Sequence, residues 1–199
     1  MSQDLVEAFL RSVYGRALTH PQYTDAVVSL WSLPSKMSRH VPLRDLAAVA
    51  WNATELDGQG ADVYYGVTLR RPGLPPAQRG TKADLLAATC FWLDIDTESP
   101  VHAAKNLPKT QAEVNDLLVD LGVAPDQVVS SGHGYHVYWF LEEPVPLVTP
   151  EDVARFERVL LSWQQKAKAL AAKRGWHLDI TADATRVLRL PGTYNRKTA

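Results

Sequence analysis

The sequence predicts an α+β fold in which a split βαβ antiparallel sheet is backed by two helices. Three observations carry this. "LLAATCFWLDID" is an apolar strand run closed by two acids, and "QVVSSGHGYHVYWFLEE" reads as strand, Gly-rich turn and strand. Two capped amphipathic helices follow these two segments in turn. From Leu86 onward the order is β, α, β, β, α, β, and helices confined to one sheet face leave the other for a site.

The N-terminal "MSQDLVEAFLRSVYGRAL" is amphipathic and carries acids early, so it reads as a helix and not as a signal peptide. After a Pro-containing stretch, "SLPSKMSRHVPLRDLAAVAWNATEL" offers a second, short helix. "DVYYGVTLRR" is rich in β-branched and aromatic residues and predicts a strand, and "RRPGLPPAQRG" a loop. In "KTQAEVNDLLVDLG", Thr110 caps a helix with Glu113 three residues on. Val114, Leu117, Leu118 and Leu121 form its apolar stripe, and Gly122 stops it. "TPEDVARFERVLLSWQQKAKALAAKRG" has Thr149 as cap, Pro150 in first position and acids in its first turn. Its expected buried face is Val153, Phe156, Leu160, Trp163, Ala167 and Leu170. "TRVLRLP" supplies the last strand. These elements predict an N-terminal α/β lobe over residues 1–85 and a core over 86–199.

With 199 residues, 46% apolar and 22% charged, the chain is long enough to bury a real core, and neither disorder nor a membrane class is favoured. No apolar run approaches the roughly 20 residues that span a bilayer. A cytoplasmic protein is expected. The one cysteine, Cys90, excludes an internal disulfide and a cysteine-based zinc cluster. A net charge of −1 excludes nucleic-acid binding through an overall positive field, although basic residues cluster locally in "LRRPGLPPAQRGTK", "QQKAKALAAKRG" and "RVLRLPGTYNRK".

Side chains alternate across a strand, so Trp92, Asp94 and Asp96 share one face and Phe91, Leu93 and Ile95 the other. Two carboxylates about 4 Å apart at an effective dielectric near ~20 repel by about 4 kcal/mol, so a cation between them is expected. Mg²⁺ and Mn²⁺ suit one or two carboxylates completed by water and phosphate oxygens. In "SSGHGYHVYWF", Gly132 and Gly134 allow a tight turn and close backbone approach to phosphate. Beyond it, His136, Tyr138 and Phe140 alternate to one face, the side expected for the acids. "HLDITADATRVLRLPGTYN" adds Asp179 and Asp183, with Arg186 and Arg189 as bidentate phosphate binders. Taken alone, this last segment is equally a surface ion-pair network.

Together the three pieces resemble the catalytic domain of the archaeo-eukaryotic primase superfamily, in particular the primase-polymerases of phages, plasmids and CRISPR-associated systems. "FWLDID" resembles that family's hhhDhD motif, "SGHGYH" its SxH motif, and "DATRVLRLPGTYN" its later acid followed by arginines and PGTxN. The resemblance spans Asp62 to Lys197. It implies an RRM-like catalytic core with an additional N-terminal α/β lobe, and an active site in the cleft between them. Asp94, Asp96 and Asp183 would hold two Mg²⁺ or Mn²⁺ ions, with Asp179 the rival for the third place. Ser131, Gly132, Gly134 and His136, with Arg186 and Arg189, would bind the incoming nucleotide. Tyr138 is a candidate sugar contact or a packed aromatic, and Arg70, Arg71, Arg79 and Lys82 are candidate template contacts. The implied activity is a nucleotidyltransferase, primase or DNA polymerase, taking NTP or dNTP on a single-stranded DNA template with a primer. Its context would be replication of a mobile element or a CRISPR-associated system. Related chains often continue into a helical priming domain or a helicase, so the sequence is expected to be the N-terminal part of a longer protein.

Two other classes share elements of the pattern. A HUH-type replication-initiator endonuclease needs two histidines flanking one apolar residue, whereas "HGYH" sets them three apart on a turn. A noncatalytic RRM-like module would bind single strands through Tyr138 and Phe140 and has no use for acids on that face.

Overall fold

The structure is a computed structural model that describes residues 2–99 and 106–197, and every candidate site residue lies within them. In chain order the regular elements are α1 (Gln3–Leu18), β1 (Val27–Leu33), β2 (Met37–Pro42), α2 (Leu46–Gly58), β3 (Asp62–Gly66), β4 (Thr68–Arg70), β5 (Leu85–Asp96), α3 (Gln111–Leu121), β6 (Gln127–Ser130), β7 (Gly134–Pro146), α4 (Pro150–Lys173) and β8 (Val187–Arg189). The α+β class is as expected. The chain forms two compact units: Met1–Cys90 with Leu141–Phe156 and Asp183–Arg196, and Phe91–Phe140 with Glu157–Ala182 and Lys197–Ala199. No helix among the described residues is long and apolar enough to cross a membrane.

In the first unit the strand order is β5, β4, β1, β3, β8, with β2 paired to β1. Helix α1 buries Val6, Phe9, Leu10, Val13, Tyr14 and Ala17, the repeat of a single helical face. Phe9 meets Tyr65 of β3 edge-on at 5.3 Å, and the Tyr14 hydroxyl donates to the Gly66 carbonyl. Strands β1 and β2 form an antiparallel hairpin ahead of α2, where no strand was expected. The expected single strand "DVYYGVTLRR" is divided at Val67 into β3, paired with β1 and β8, and β4, paired with β5.

The second unit carries the order β6, β7, β5, with β6 and β7 antiparallel. Phe91, Leu93, Ile95, Val137 and Trp139 pack with Val114, Leu117, Leu118 and Leu121 of α3 and Ala167 and Ala171 of α4. The predicted alternation holds along β5 and β7. Both helices start on the predicted caps: Thr110 and Glu113 form a capping box, and Asp152 N donates to Thr149 Oγ1 at 3.1 Å. Gly122, with φ of +82°, closes α3 in the left-handed region.

One expectation is corrected. The strand expected to complete a four-stranded split βαβ sheet, β8, pairs with β3 in the register Tyr64↔Arg189, and β4 is the strand beside β5. The reason is chemical: Arg189 donates to Asp62 Oδ1 at 2.7 Å and lies 4.9 Å over the Tyr64 ring, fixing a strand of only three residues to β3. Cys90 is wholly enclosed, and burial pushes its thiol up to about 12, which leaves it an inert core residue.

Candidate active site

The acidic end of β5 is braced from α4. Gln164, wholly buried, donates from Nε2 to the Trp92 carbonyl at 3.0 Å and accepts at Oε1 from Thr181 N at 2.7 Å. Trp92 Nε1 donates to the Thr181 carbonyl at 3.2 Å. These bonds satisfy buried polar groups beside the acids and fix the strand's exit. Gln164 escaped the sequence reading. Its signal was an amide four residues after Leu160, in line with the apolar stripe of α4. Beyond Trp92, Asp94 and Asp96 are both partly exposed on the face opposite the helix-packed residues.

The Gly-rich turn is fitted directly against that end. Ser131 N donates to Gly134 O at 2.9 Å, and Gly132 takes φ of +94°. The amide and hydroxyl of Thr97 both donate to His133 O at 3.0 Å. A Cβ on Gly134 would stand 2.9 Å from Asp96 Cα and closer still to Ile95 O, so only glycine allows this approach. The turn sends β7 past the acids. His136 Nε2 lies 3.5 Å from Asp94 Oδ1, with the imidazole almost fully buried. Tyr138 follows on the same face, 6.4 Å from the imidazole centroid to centroid, and is wholly buried. Its ring therefore presents no surface on which a base could stack.

In the first unit, Asp183 opens a tight turn. Its Oδ1 accepts from the Thr185 amide at 2.9 Å and the Thr185 hydroxyl at 2.8 Å, and Arg186 N donates to its carbonyl at 2.9 Å. Partial burial would raise the Asp183 pKa. The two Thr185 bonds and the Lys82 and Arg186 charges outweigh it and hold the carboxyl below its ordinary value. Asp179 belongs to the second unit, is exposed, and is paired with His177 Nε2 at 2.8 Å.

The basic candidates separate. Arg186 is half-buried beside Asp183, and Lys82 is exposed within reach of the same carboxylate. Arg189 is buried and committed to Asp62, the Tyr64 hydroxyl at 3.0 Å and the Tyr194 carbonyl at 3.1 Å. Arg196 donates to Asp57 Oδ1 at 2.7 Å, so "PGTYNR" is strapped to the end of α2 and the start of β3. Arg71 donates to the Val148 carbonyl at 3.1 Å, and exposed Arg79 lies 5.6 Å over the Trp31 ring. Arg70 is wholly buried, so it offers a template no surface.

Among the described residues, no group of three or more His, Cys, Asp or Glu is arranged to hold a metal ion. A hard divalent ion does not require three, since one or two carboxylates with water and phosphate oxygens complete its shell. Asp94 and Asp96, paired on one strand face and open to solvent, fit that donor set.

No family model and no curated protein matches the sequence. Among solved structures, the chain is similar to the AEP domain of the primase-polymerase of cyanophage S-2L, with 17% identity and a TM-score of 0.58, covering 99% of this chain and 85% of that one. It is also similar to the catalytic domain of primase Repb' in complex with initiator DNA, with 18% identity and a TM-score of 0.46, over 94% of this chain and 79% of that one. The protein shares the fold of that primase-polymerase AEP domain.

Proposed function

We propose that the protein is a DNA-dependent nucleotidyltransferase, acting as primase, DNA polymerase or both on a single-stranded DNA template. The observation that carries the reading is the meeting of Asp94 and His136 at 3.5 Å, next to Asp96 and the glycine turn. The fold shared with a phage primase-polymerase domain supports it. In this reading β5, β6 and β7 with α3 and α4 are the RRM-like catalytic core.

Asp94 and Asp96 hold Mg²⁺ or Mn²⁺ through hard oxygen donors. Asp183, kept ionised by Thr185, Lys82 and Arg186, is assigned as the third carboxylate of a two-ion centre on its motif. The bound ions would supply Lewis-acid activation of the attacking hydroxyl and neutralisation of phosphate charge. His136, with Ser131 and the turn amides, holds the triphosphate of an NTP or dNTP, and Arg186 offers a bidentate fork to its oxygens. The primer 3′-oxygen bonds to the α-phosphorus, the bond to the bridging oxygen breaks, pyrophosphate leaves, and the hydroxyl proton passes to water. Arg71, Arg79 and Lys82 offer phosphate contacts to the template. We place this activity in the cytoplasm, in replication of a mobile element or in a CRISPR-associated system, with a helicase or helical priming domain as downstream partner.

Extension of a labelled primer on a single-stranded template, with NTPs or dNTPs and Mg²⁺ or Mn²⁺, tests the proposal, and a parallel reaction without primer tests initiation. Template-directed products in at least one nucleotide and ion combination are expected. No incorporation in any combination would overturn the reading.

A further inference from the structure

Three consecutive carbonyls of the Asp183 turn are held by one short stretch of chain. Thr68 Oγ1 donates to Ala184 O at 2.7 Å, Arg70 Nη2 to Thr185 O at 3.2 Å, and Val67 N to Arg186 O at 3.1 Å. Thr185 is the joint of this ladder. Its carbonyl takes Arg70, while its amide and hydroxyl both go to the Asp183 carboxylate. The orientation of that carboxylate is thereby referred back to β4.

Arg70 is a poor choice for stability alone. Its side chain is wholly buried, and its Nε and Nη1 meet no hydrogen-bond partner among the described residues. Desolvating a guanidinium and leaving two of its nitrogens unsatisfied is costly, and an apolar side chain of similar volume would pack without that cost. The surroundings are nevertheless shaped around it. A Cβ on Gly80 would lie 3.3 Å from Nη1 and one on Gly66 3.6 Å from Nη2, so two glycines flank the guanidinium. The loop containing Gly80 is fastened to β2 by Ser38 N donating to Pro76 O at 2.8 Å and His40 Nε2 to Gln78 O at 3.0 Å.

We propose that Arg70 and Thr68 are positioning residues that set the Asp183 carboxylate through the carbonyls of Ala184 and Thr185. This rests on the reading of Asp183 as a metal ligand, and it replaces a template contact as the role of Arg70.

The test compares Arg70→Met, Thr68→Val, Asp183→Asn and the double variant Arg70→Met with Asp183→Asn, each in the whole chain. Three quantities are measured: the thermal midpoint, Mn²⁺ affinity from the electron paramagnetic resonance signal of free Mn²⁺, and the Mn²⁺ concentration for half-maximal primer extension. Arg70→Met is expected to keep or raise the midpoint while weakening Mn²⁺ binding by about 10-fold, the usual size of an effect on a ligand's supporting group. Half-maximal extension should move by the same factor, and the double variant should bind Mn²⁺ no worse than Asp183→Asn, because both changes act through one carboxylate. If Arg70→Met fails to fold, Thr68→Val, nearly equal in shape, decides by the same criterion. Unchanged Mn²⁺ affinity in Asp183→Asn overturns the metal role of Asp183. A weakened Asp183→Asn beside wild-type affinity in the two β4 variants overturns the positioning role alone.

Discussion

His136 Nε2 stands 3.5 Å from Asp94 Oδ1, an imidazole and a carboxylate brought together by two neighbouring strands. The imidazole is nearly enclosed and the carboxylate keeps about a quarter of its surface, so approach to the pair is from the side of the acid.

The place of His136 next to the turn leads to a kinetic expectation. His136→Ala should raise the nucleotide KM by about 10-fold or more, the loss of one charge-assisted contact, while template binding by fluorescence anisotropy changes little. A nucleotide titration curve that coincides with wild type removes His136 from triphosphate binding.

Gly134 supports a sharper structural prediction. The Cβ of Gly134→Ala would meet the backbone of Ile95 and Asp96, which cannot rotate away, so the turn must separate from β5. A loss of about 1–3 kcal/mol in urea unfolding is expected, as for an overpacked site, together with loss of primer extension. Wild-type stability in this variant would show that the turn is not pressed against the acids.

Asp62 ties folding to acid pH. Burial would raise its pKa, but bonds from the Arg196 amide and the Arg189 guanidinium, with the charges of both arginines, hold it below the ordinary value. The folded state therefore binds this proton less readily than the unfolded chain. The resulting stability is complete above the unfolded pKa of about 3.9 and is lost as pH falls through the folded value. Asp62→Asn should flatten the acid limb of the stability profile below the unfolded pKa of about 3.9. Arg189→Ala, which leaves Asp62 without its ion-pair partner, should cost about 3 kcal/mol near neutral pH, measured by thermal or urea unfolding. An unaltered midpoint in Arg189→Ala would contradict the strap.

Local signals made much of this legible in the sequence. Caps at Thr110 and Thr149, the glycine stop at Gly122 and the alternation from Phe91 to Asp96 are short-range patterns, and the structure follows them. The β1–β2 hairpin was not legible, because its turn uses Lys36 at φ of +55° in place of the usual glycine or asparagine, and β2, "MSRHVP", is polar through its centre. The partner of β8 was equally hidden. Arg189 reads as a phosphate binder until Asp62, 127 residues away, is seen to hold it. Arg70 reads as a surface charge because its partner is a backbone carbonyl, and backbone acceptors leave no mark in a sequence.

The most direct measurement is primer extension by Asp94→Ala and Asp96→Ala, with the thermal midpoint of each variant recorded beside it. The account predicts no detectable nucleotide incorporation with either Mg²⁺ or Mn²⁺ and a folded protein in both cases, since the two side chains are partly exposed. Full activity in either folded variant would contradict the assignment of this strand end as the metal-holding centre.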